Sequence, residues 1–250
     1  MDSDKASRFF FRVIAHPWAV LCVFMICGFS LYAPALDGAF VFDDIRSVLL
    51  NPVIRPPLRP LAVFTHFPSR SLVFFSFALN FLWGGSQPAG FHLVNILIHI
   101  VNAYMVWNLT RLVLATPGMC GCANRPAADI LAFMSSLFFL SHPVQTQAVV
   151  HIVQRFTLAG TLFYLLAAFC YLKGRMTARK ETRIVSFTAA GAAFLGGMLS
   201  KEIIFTLPLM LLMIEVVCLN NRILIRLLKG YGTWISLFLA GIANFFLFHF

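Results

Sequence analysis

Charged residues are scarce in this sequence. They make up 11% of the 250 residues and only nine side chains are acidic, whereas hydrophobic residues account for 60% and the mean hydropathy is +0.86. Because soluble globular domains carry about 25% charged residues, a soluble domain is excluded. Several apolar runs approach the roughly 20 residues that a helix needs to cross a bilayer, where a helix satisfies its own backbone hydrogen bonds. The sequence therefore predicts an all-α, multi-pass membrane protein.

The sequence also lacks the patterns of a disulfide framework, a zinc finger or a nucleic-acid site. Four of the six cysteines lie in apolar runs, and Cys120-Gly-Cys122 has no second pair at metal-ligand spacing. The net charge of +10 would suit nucleic acid, but no basic block is interleaved with exposed aromatic residues. Basic residues beside apolar runs are instead typical of the cytoplasmic side of a membrane protein, so no nucleic-acid partner is expected.

The basic residues also set the expected topology. Residues 1–16 should be cytoplasmic, and the apolar run after them should be a retained first span rather than a signal peptide. Residues 36–90 contain six prolines and are expected to form a long first outer loop with interfacial helices, one of them over 71–83. About seven spans are predicted, over residues 17–35, 90–115, 129–141, 156–172, 184–199, 203–219 and 231–250. The protein then either stops inside the last span or continues as a longer chain.

A polar segment, residues 142–155, separates two of these apolar runs. It starts with His142-Pro143, and proline suits the first turn of a helix. With Gln154 and Arg155 on its polar side, the plain interpretation is an amphipathic helix at the outer interface. The alternative is a helix whose cationic end binds a polar-headed ligand, because a guanidinium can hold two phosphate oxygens at once.

Two charged pairs are expected on the same outer side. Asp43 and Asp44 follow the first span, and such a carboxylate can be a general base toward a hydroxyl or a ligand for a divalent metal. A solvated turn or a helix cap is the structural alternative. Lys201 and Glu202 end the fifth span, where ionisable groups pair with each other, line a wet cavity or snorkel.

A polar stripe runs along the second span. Its members, His92, Asn95, His99 and Asn102, are spaced so that they share one helical face. Hydrogen bonding between helices is the expected role, with a cavity-lining role as the alternative.

Five motifs occur in an order that resembles a known family. They are Phe40-Val-Phe-Asp-Asp44 with Asn51-Pro52, residues 69–80, residues 90–99, the segment from His142-Pro143 to Gln154-Arg155, and Leu199-Ser-Lys-Glu202. Over about residues 35–220 the chain resembles bacterial tetratricopeptide-containing relatives of the TMTC O-mannosyltransferases, within the GT-C superfamily of membrane glycosyltransferases. That family continues with further spans and C-terminal tetratricopeptide repeats, which residues 1–250 do not include, and its Arg-Pro-Leu motif reads Arg70-Ser-Leu72 here.

The resemblance implies a GT-C-like helical bundle that transfers a sugar from a polyprenyl-phosphate donor to a hydroxyl of a protein or glycan acceptor. The site would face the periplasm from a bacterial inner membrane. The resemblance implies Asp44, with Asp43 as the alternative, as the general base. The residues implied to bind the donor are Arg155, Lys201, Glu202, His142 and Gln154. Cations suit this place because the leaving group is an anionic lipid phosphate. A non-catalytic scaffold with the same fold and a lipid-linked sugar transporter are the alternatives.

Overall fold

The computed structural model describes residues 11–119 and 124–219, and within these ranges it contains helices and no β-strand. The predicted seventh span and the Cys120-Gly-Cys122 loop lie outside the described residues. The α-helices are α1 (Pro17–Tyr32), α2 (Pro60–His66), α3 (Ser71–Gly84), α4 (Pro88–Leu114), α5 (Arg125–Ser141), α6 (Gln145–Val150), α7 (Arg155–Met176), α8 (Lys180–Met198) and α9 (Leu207–Met213). Short 3-10 helices cover Ala33–Asp37, Pro52–Ile54, Pro117–Met119, Ile152–Gln154 and Glu202–Thr206, and π-helices cover Ile45–Leu49 and Ile214–Cys218.

Three helical stretches among the described residues are long and apolar enough to cross a membrane. They are Pro17–Asp37, Pro88–Leu114 and Ile152–Met176, and they correspond to the predicted first, second and fourth spans. Proline opens α1 and α4, where its missing N–H would have no intrahelical partner in any case.

The other predicted spans within the described residues are shorter or less regular. The third coincides with α5, which begins at Arg125 instead of Asp129 but has only 17 residues. The fifth coincides with α8, which opens with charged residues. The sixth is divided into a 3-10 helix, α9 and a π-helix, with Pro208 in the first turn of α9. The described chain is thus all-helical with three candidate spanning helices, fewer than the sequence predicts.

Helix α4 is central and packs against α1, α5 and α7. Phe24 of α1, Ile100 of α4 and Leu140 of α5 are buried together in its core. The Leu140 carbonyl also accepts a hydrogen bond from the Tyr32 hydroxyl at 3.1 Å, and it lies 3.1 Å from His99 Nε2. Three helices are therefore joined by one carbonyl at the end of α5.

The predicted first outer loop folds back onto α4 and α7. Its helix α3 ends at Gly84, and Gly85 follows in the left-handed region with φ of 59°. Aromatic rings from α3, α4 and α7 pack together: the Phe77 ring lies 6.2 Å from Phe91 and 6.0 Å from Phe156. This cluster fixes the start of α7, which carries Arg155 of the predicted site.

Residues 142–155 do not form the single interfacial helix that the sequence predicts. The structure divides them into α6 and the 3-10 helix Ile152–Gln154, with His151 extended between them (φ −76°, ψ 121°). The break has a physical cause. Backbone N–H groups that would bond to carbonyls of the preceding turn in a continuous helix bond to a side chain of the first outer loop instead. Asp44 accepts the N–H groups of Ile152 and Val153.

Candidate functional site

Arg155 opens α7 and is fully buried. Its Nε donates to Asn95 Oδ1 at 2.8 Å, and Nη1 donates to Asn80 Oδ1 at 2.7 Å and to Ser76 Oγ at 3.1 Å. Its Nη2 donates to the Phe91 carbonyl at 2.9 Å. All three nitrogens of the guanidinium thus bond to neutral acceptors on α3 and α4, which makes Arg155 a cation that holds three helices together.

Asp44 is equally buried and anchors the first outer loop. Its carboxylate accepts the N–H of Val153 at 2.7 Å, that of Ile152 at 3.4 Å and that of Val41 at 3.3 Å. Asp43, by contrast, is exposed. These contacts match the helix-cap alternative for Asp44, and the catalytic role of the pair stays a prediction. We call Asp44, Ser76, Asn80, Asn95 and Arg155 the anchor cluster.

Asn95 links the anchor cluster to the polar stripe of α4. Its Nδ2 lies 3.2 to 3.4 Å from the carbonyls of Val149, His151 and Ile152. About two turns further on, Asn102 donates to the Leu158 carbonyl of α7 at 3.0 Å. Together with the bond of His99 to Leu140, these contacts confirm the predicted hydrogen bonding between helices. Within the described residues, the fourth member of the stripe, His92, is buried with no hydrogen bond to its ring nitrogens.

A second group of polar side chains lies beside the first turn of α7. Lys201 Nζ donates to Thr157 Oγ1 at 2.6 Å, and Thr157 Oγ1 donates to Gln154 Oε1 at 2.7 Å. The close approach depends on Gly160, because a Cβ added there would lie 3.0 Å from the Cβ of Lys201. Lys201 and Gln154, both predicted to bind the donor, are therefore brought together through Thr157.

Glu202 and Arg70 complete this group with an ion pair. Arg70 Nη2 lies 2.9 Å from Glu202 Oε1, and the two side chains are 45% and 52% exposed. The Leu72 N–H donates to the Leu199 carbonyl at 3.1 Å and so brings the start of α3 to the end of α8. Glu202 therefore pairs with an arginine of the first outer loop. We call Arg70, Gln154, Thr157, Lys201 and Glu202 the outer cluster.

Two contacts favour the ionised form of Glu202. A hydrogen bond from its own backbone N–H, and then the Arg70 guanidinium, hold the pKa of Glu202 below its ordinary value. Arg70 also lies over the Phe156 ring, 5.3 Å from its centroid. The outer cluster thus carries two cations and one carboxylate, a net charge of about +1 at neutral pH.

His142 lies apart from these contacts. It follows the last residue of α5, its Nδ1 accepts the Val144 N–H at 3.2 Å, and its ring lies edge-on to Phe138 at 4.8 Å. Within the described part of the chain, no hydrogen bond joins His142 to the outer cluster. Its donor-binding role stays a prediction without a contact that supports it.

The sequence analysis missed two members of the outer cluster as site residues. Arg70 was noted only as part of the motif Arg70-Ser-Leu72, and nothing local in the sequence indicated its pairing with Glu202. Thr157 is a small polar residue in the first turn of an apolar helix, a weak signal that could have drawn attention to it.

The sequence allowed a divalent metal as one alternative for the aspartate pair. Residues 11–119 and 124–219 contain no set of side chains that matches such a site. No group of three or more His, Cys, Asp or Glu side chains lies close enough there to hold a metal ion. The oxygens of Asp44 already accept backbone N–H groups. The described residues do not fit a metal, and no chemistry is assigned to one here.

The outer cluster is suited to bind an anion at the membrane surface. Lys201 and Arg70 are partly exposed cations, and each bonds to a side chain that a ligand oxygen can replace. A planar guanidinium and an ammonium together match the oxygens of a phosphate. The anchor cluster fixes the segment from which Gln154 and Thr157 extend.

Comparison with known proteins finds similarity to enzymes of one kind. The chain is 33% identical over 182 residues to Protein O-mannosyl-transferase Tmtc1 of Drosophila melanogaster, which covers 67% of this chain and 20% of that protein. It is 30% identical over 213 residues to Protein O-mannosyl-transferase TMTC1 of Homo sapiens, covering 76% and 23%, and 30% identical over 159 residues to human TMTC2, covering 58% and 18%. The chain thus spans about a fifth of the length of these relatives.

These similarities support a relationship to a glycosyltransferase family. The three relatives are animal proteins, whereas the motifs pointed to bacterial ones. No family model matches the chain. No solved structure matches it either.

Proposed function

We propose that this chain is a membrane glycosyltransferase of the GT-C superfamily, or one module of such an enzyme, that transfers a sugar from a polyprenyl-phosphate donor to a hydroxyl of a protein acceptor. The observation that carries the proposal is its similarity to proteins named O-mannosyl-transferases, which makes mannose the first sugar to test. The count of basic residues supports a cytoplasmic N-terminus and a site on the outer face, the periplasmic face if the membrane is a bacterial inner membrane.

The outer cluster is the proposed binding place of the donor phosphate. Before the donor binds, Thr157 and Gln154 orient the Lys201 ammonium. When the donor binds, Lys201 and Arg70 exchange Thr157 and Glu202 for phosphate oxygens. Charge-assisted hydrogen bonds of this kind are roughly twice as strong as neutral ones. Cations held there also stabilise the charge that develops on the phosphate as the sugar leaves.

The proposed base is Asp43 rather than Asp44. The hydroxyl oxygen of the acceptor attacks C1 of the sugar, the bond from C1 to the phosphate oxygen breaks, and the hydroxyl proton passes to the carboxylate. Asp43 is exposed and can meet a hydroxyl, whereas Asp44 already accepts three backbone N–H groups. In this mechanism Asp44 and Arg155 are positioning residues, because they hold the segment that carries Gln154 and Thr157.

One observation favours a second candidate function, a non-catalytic scaffold of the same fold. Asp44 and Arg155, two of the residues implied by the family resemblance, have their polar atoms occupied by the protein itself. A scaffold retains such an anchor without catalysing transfer. It differs from the enzyme in one measurable respect, since it binds a lipid phosphate without turnover.

The test is mannose transfer by the purified protein in nanodiscs, with polyprenyl-phosphate mannose and a serine- and threonine-rich acceptor peptide. Asp43→Asn should abolish transfer and leave donor binding intact. Lys201→Ala should raise KM for the donor about tenfold, the loss expected for one charge-assisted hydrogen bond. Arg46→Ala is the matched control, because Arg46 is an exposed cation of the first outer loop without an ion pair among the described residues.

Three outcomes would each contradict one part of the proposal. Donor binding without turnover under every acceptor condition would favour the scaffold. Full activity of Asp43→Asn would reject the assigned base, and equal KM values for Lys201→Ala and Arg46→Ala would reject the outer cluster as the phosphate site.

A further inference from the structure

A cavity lies at the opposite end of the helical bundle from the outer cluster. It measures about 660 Å³ and adjoins a second cavity of about 450 Å³, with Ala15, Arg125 and Asp129 in the walls of both. The walls come from the segment before α1, the end of α4 and the start of α5. We call the joined space the inner cavity.

The inner cavity carries a surplus of positive charge. Arg111 lies in its wall and pairs with Asp129 at 2.7 Å, so these two charges offset each other. Arg12 and Arg125 also lie in the walls, and neither forms an ion pair within the described part of the chain. The inner cavity is therefore lined by two guanidinium groups with five N–H donors each. Neither group is paired with a carboxylate of the described residues.

The cavity also lies at the level where the headgroup of a membrane lipid would lie. It is built at the ends of two candidate spanning stretches, Pro17–Asp37 and Pro88–Leu114. Trp18, which is 71% exposed in the first turn of α1, is the kind of side chain that lies at headgroup level. The larger cavity also has apolar wall residues beside Arg125, among them Leu112 and Phe169.

Arginines near the cytoplasmic ends of spans are common, and by themselves they reflect only membrane orientation. The inner cavity differs because its two unpaired arginines face one concavity between helices instead of a flat surface. Basic pockets between membrane helices are suited to hold the headgroups of anionic lipids.

We propose that the inner cavity binds the phosphate headgroup of an anionic phospholipid from the adjacent leaflet, with Arg12 and Arg125 as the phosphate-binding residues. A lipid fits better than a soluble phosphate, because the apolar wall residues beside Arg125 can take acyl chain next to the headgroup. The proposal is independent of sugar transfer and concerns the opposite side of the membrane.

The experiment measures lipids that stay bound to the full chain. Protein is reconstituted in nanodiscs of phosphatidylcholine with a minority of phosphatidylglycerol, extracted gently, and analysed by native mass spectrometry. We expect phosphatidylglycerol to be retained in preference to phosphatidylcholine. The double variant Arg12→Gln, Arg125→Gln should lower that preference by roughly tenfold or more.

The matched control is the double variant Arg46→Gln, Arg59→Gln, which removes two exposed arginines from the predicted outer loop. It should leave the preference unchanged. Because all four arginines are exposed, the variants should fold, and unfolding temperatures in pure phosphatidylcholine nanodiscs check this. Equal retention of the two lipids, or equal losses in both double variants, would overturn the proposal.

An additional arm separates lipid from soluble phosphate. Inorganic phosphate is added at rising concentration before extraction, and bound phosphatidylglycerol should persist. Displacement by millimolar phosphate would show a general anion site and overturn the assignment to a lipid. Because no sugar donor is present, this result does not depend on the proposed enzyme activity.

Discussion

The anchor cluster and the outer cluster both include residues of the short segment 152–157, yet they use charge in opposite ways. Asp44 and Arg155 are buried and bonded to groups of the protein. Arg70 and Glu202 are about half exposed and bond mainly to each other. The difference shows that burial and hydrogen-bond partners decide the role of a charged residue beside a membrane. A buried charged side chain whose hydrogen bonds are all made within the protein holds helices together. A half-exposed charged side chain can give up its protein partner and bind a ligand.

Arg155→Met offers the strongest way to break this comparison. It removes the donor that Asn80, Asn95 and the Phe91 carbonyl share, and hydrogen bonds to charged groups are worth about 1.5–3 kcal/mol each. We expect the free energy of unfolding to fall by about 3 kcal/mol or more. Arg155→Lys should also destabilise, because an ammonium cannot reach the same fork of acceptors.

Unfolding of both variants is followed in detergent, with Arg59→Met as the control at an exposed arginine. If Arg155→Met unfolded at the same denaturant concentration as Arg59→Met, Arg155 would not hold the three helices. The anchor cluster would then not be a structural site, and the distinction between the two clusters would be wrong.

Neighbouring aspartates provide a second, smaller effect. Asp44→Asn should lower the free energy of unfolding by about 1–3 kcal/mol, because its amide NH2 would face backbone N–H groups that now find an acceptor. Asp43→Asn should leave stability unchanged, because Asp43 is exposed. Chemical unfolding of the two variants side by side measures this, and equal losses would mean that the carboxylates are not divided into a buried anchor and an exposed group.

The smallest effect should come from Glu202→Gln. The ion pair with Arg70 is half exposed and screened by solvent, so its contribution should stay below about 1 kcal/mol. Because the pKa of Glu202 is lowered in the folded protein, this contribution is complete above the pKa of the unfolded chain. It is lost as the pH falls through the folded pKa.

A double-mutant cycle with Arg70→Gln, measured at neutral pH and in acid, isolates the pair. The coupling energy should be present at neutral pH and absent in acid. A coupling that persisted in acid would show that the two side chains interact by packing instead of by charge.

The sequence predicted the features that depend on local pattern. The first span begins at Pro17 as predicted, and Gly85 follows the end of α3. The spacing of Asn95, His99 and Asn102 predicted the face of α4 that bonds to other helices. These features follow from chain geometry within a few residues.

The rest depends on partners distant in the sequence. The break at His151 follows from Asp44, which is more than 100 residues away and supplies acceptors to the N–H groups that follow it. Arg155 was expected to face a lipid phosphate, but its hydrogen bonds go to acceptors on α3 and α4. No local sequence pattern could predict this set of hydrogen-bond acceptors around Arg155. The pairing of Arg70 with Glu202 could not be predicted from a local pattern either.

The distance along the chain between bonded residues also sets an order of assembly. Every hydrogen-bond acceptor of the Arg155 side chain precedes it in sequence, so the anchor cluster can close as soon as the ribosome has delivered the first turn of α7. Arg70 must wait for Glu202, which is synthesised 132 residues later. A nascent chain halted after α7 would therefore hold its buried arginine in place while Arg70 still lacked its carboxylate. The outer cluster therefore closes later than the anchor cluster, after α8 and the residues that follow it have been synthesised.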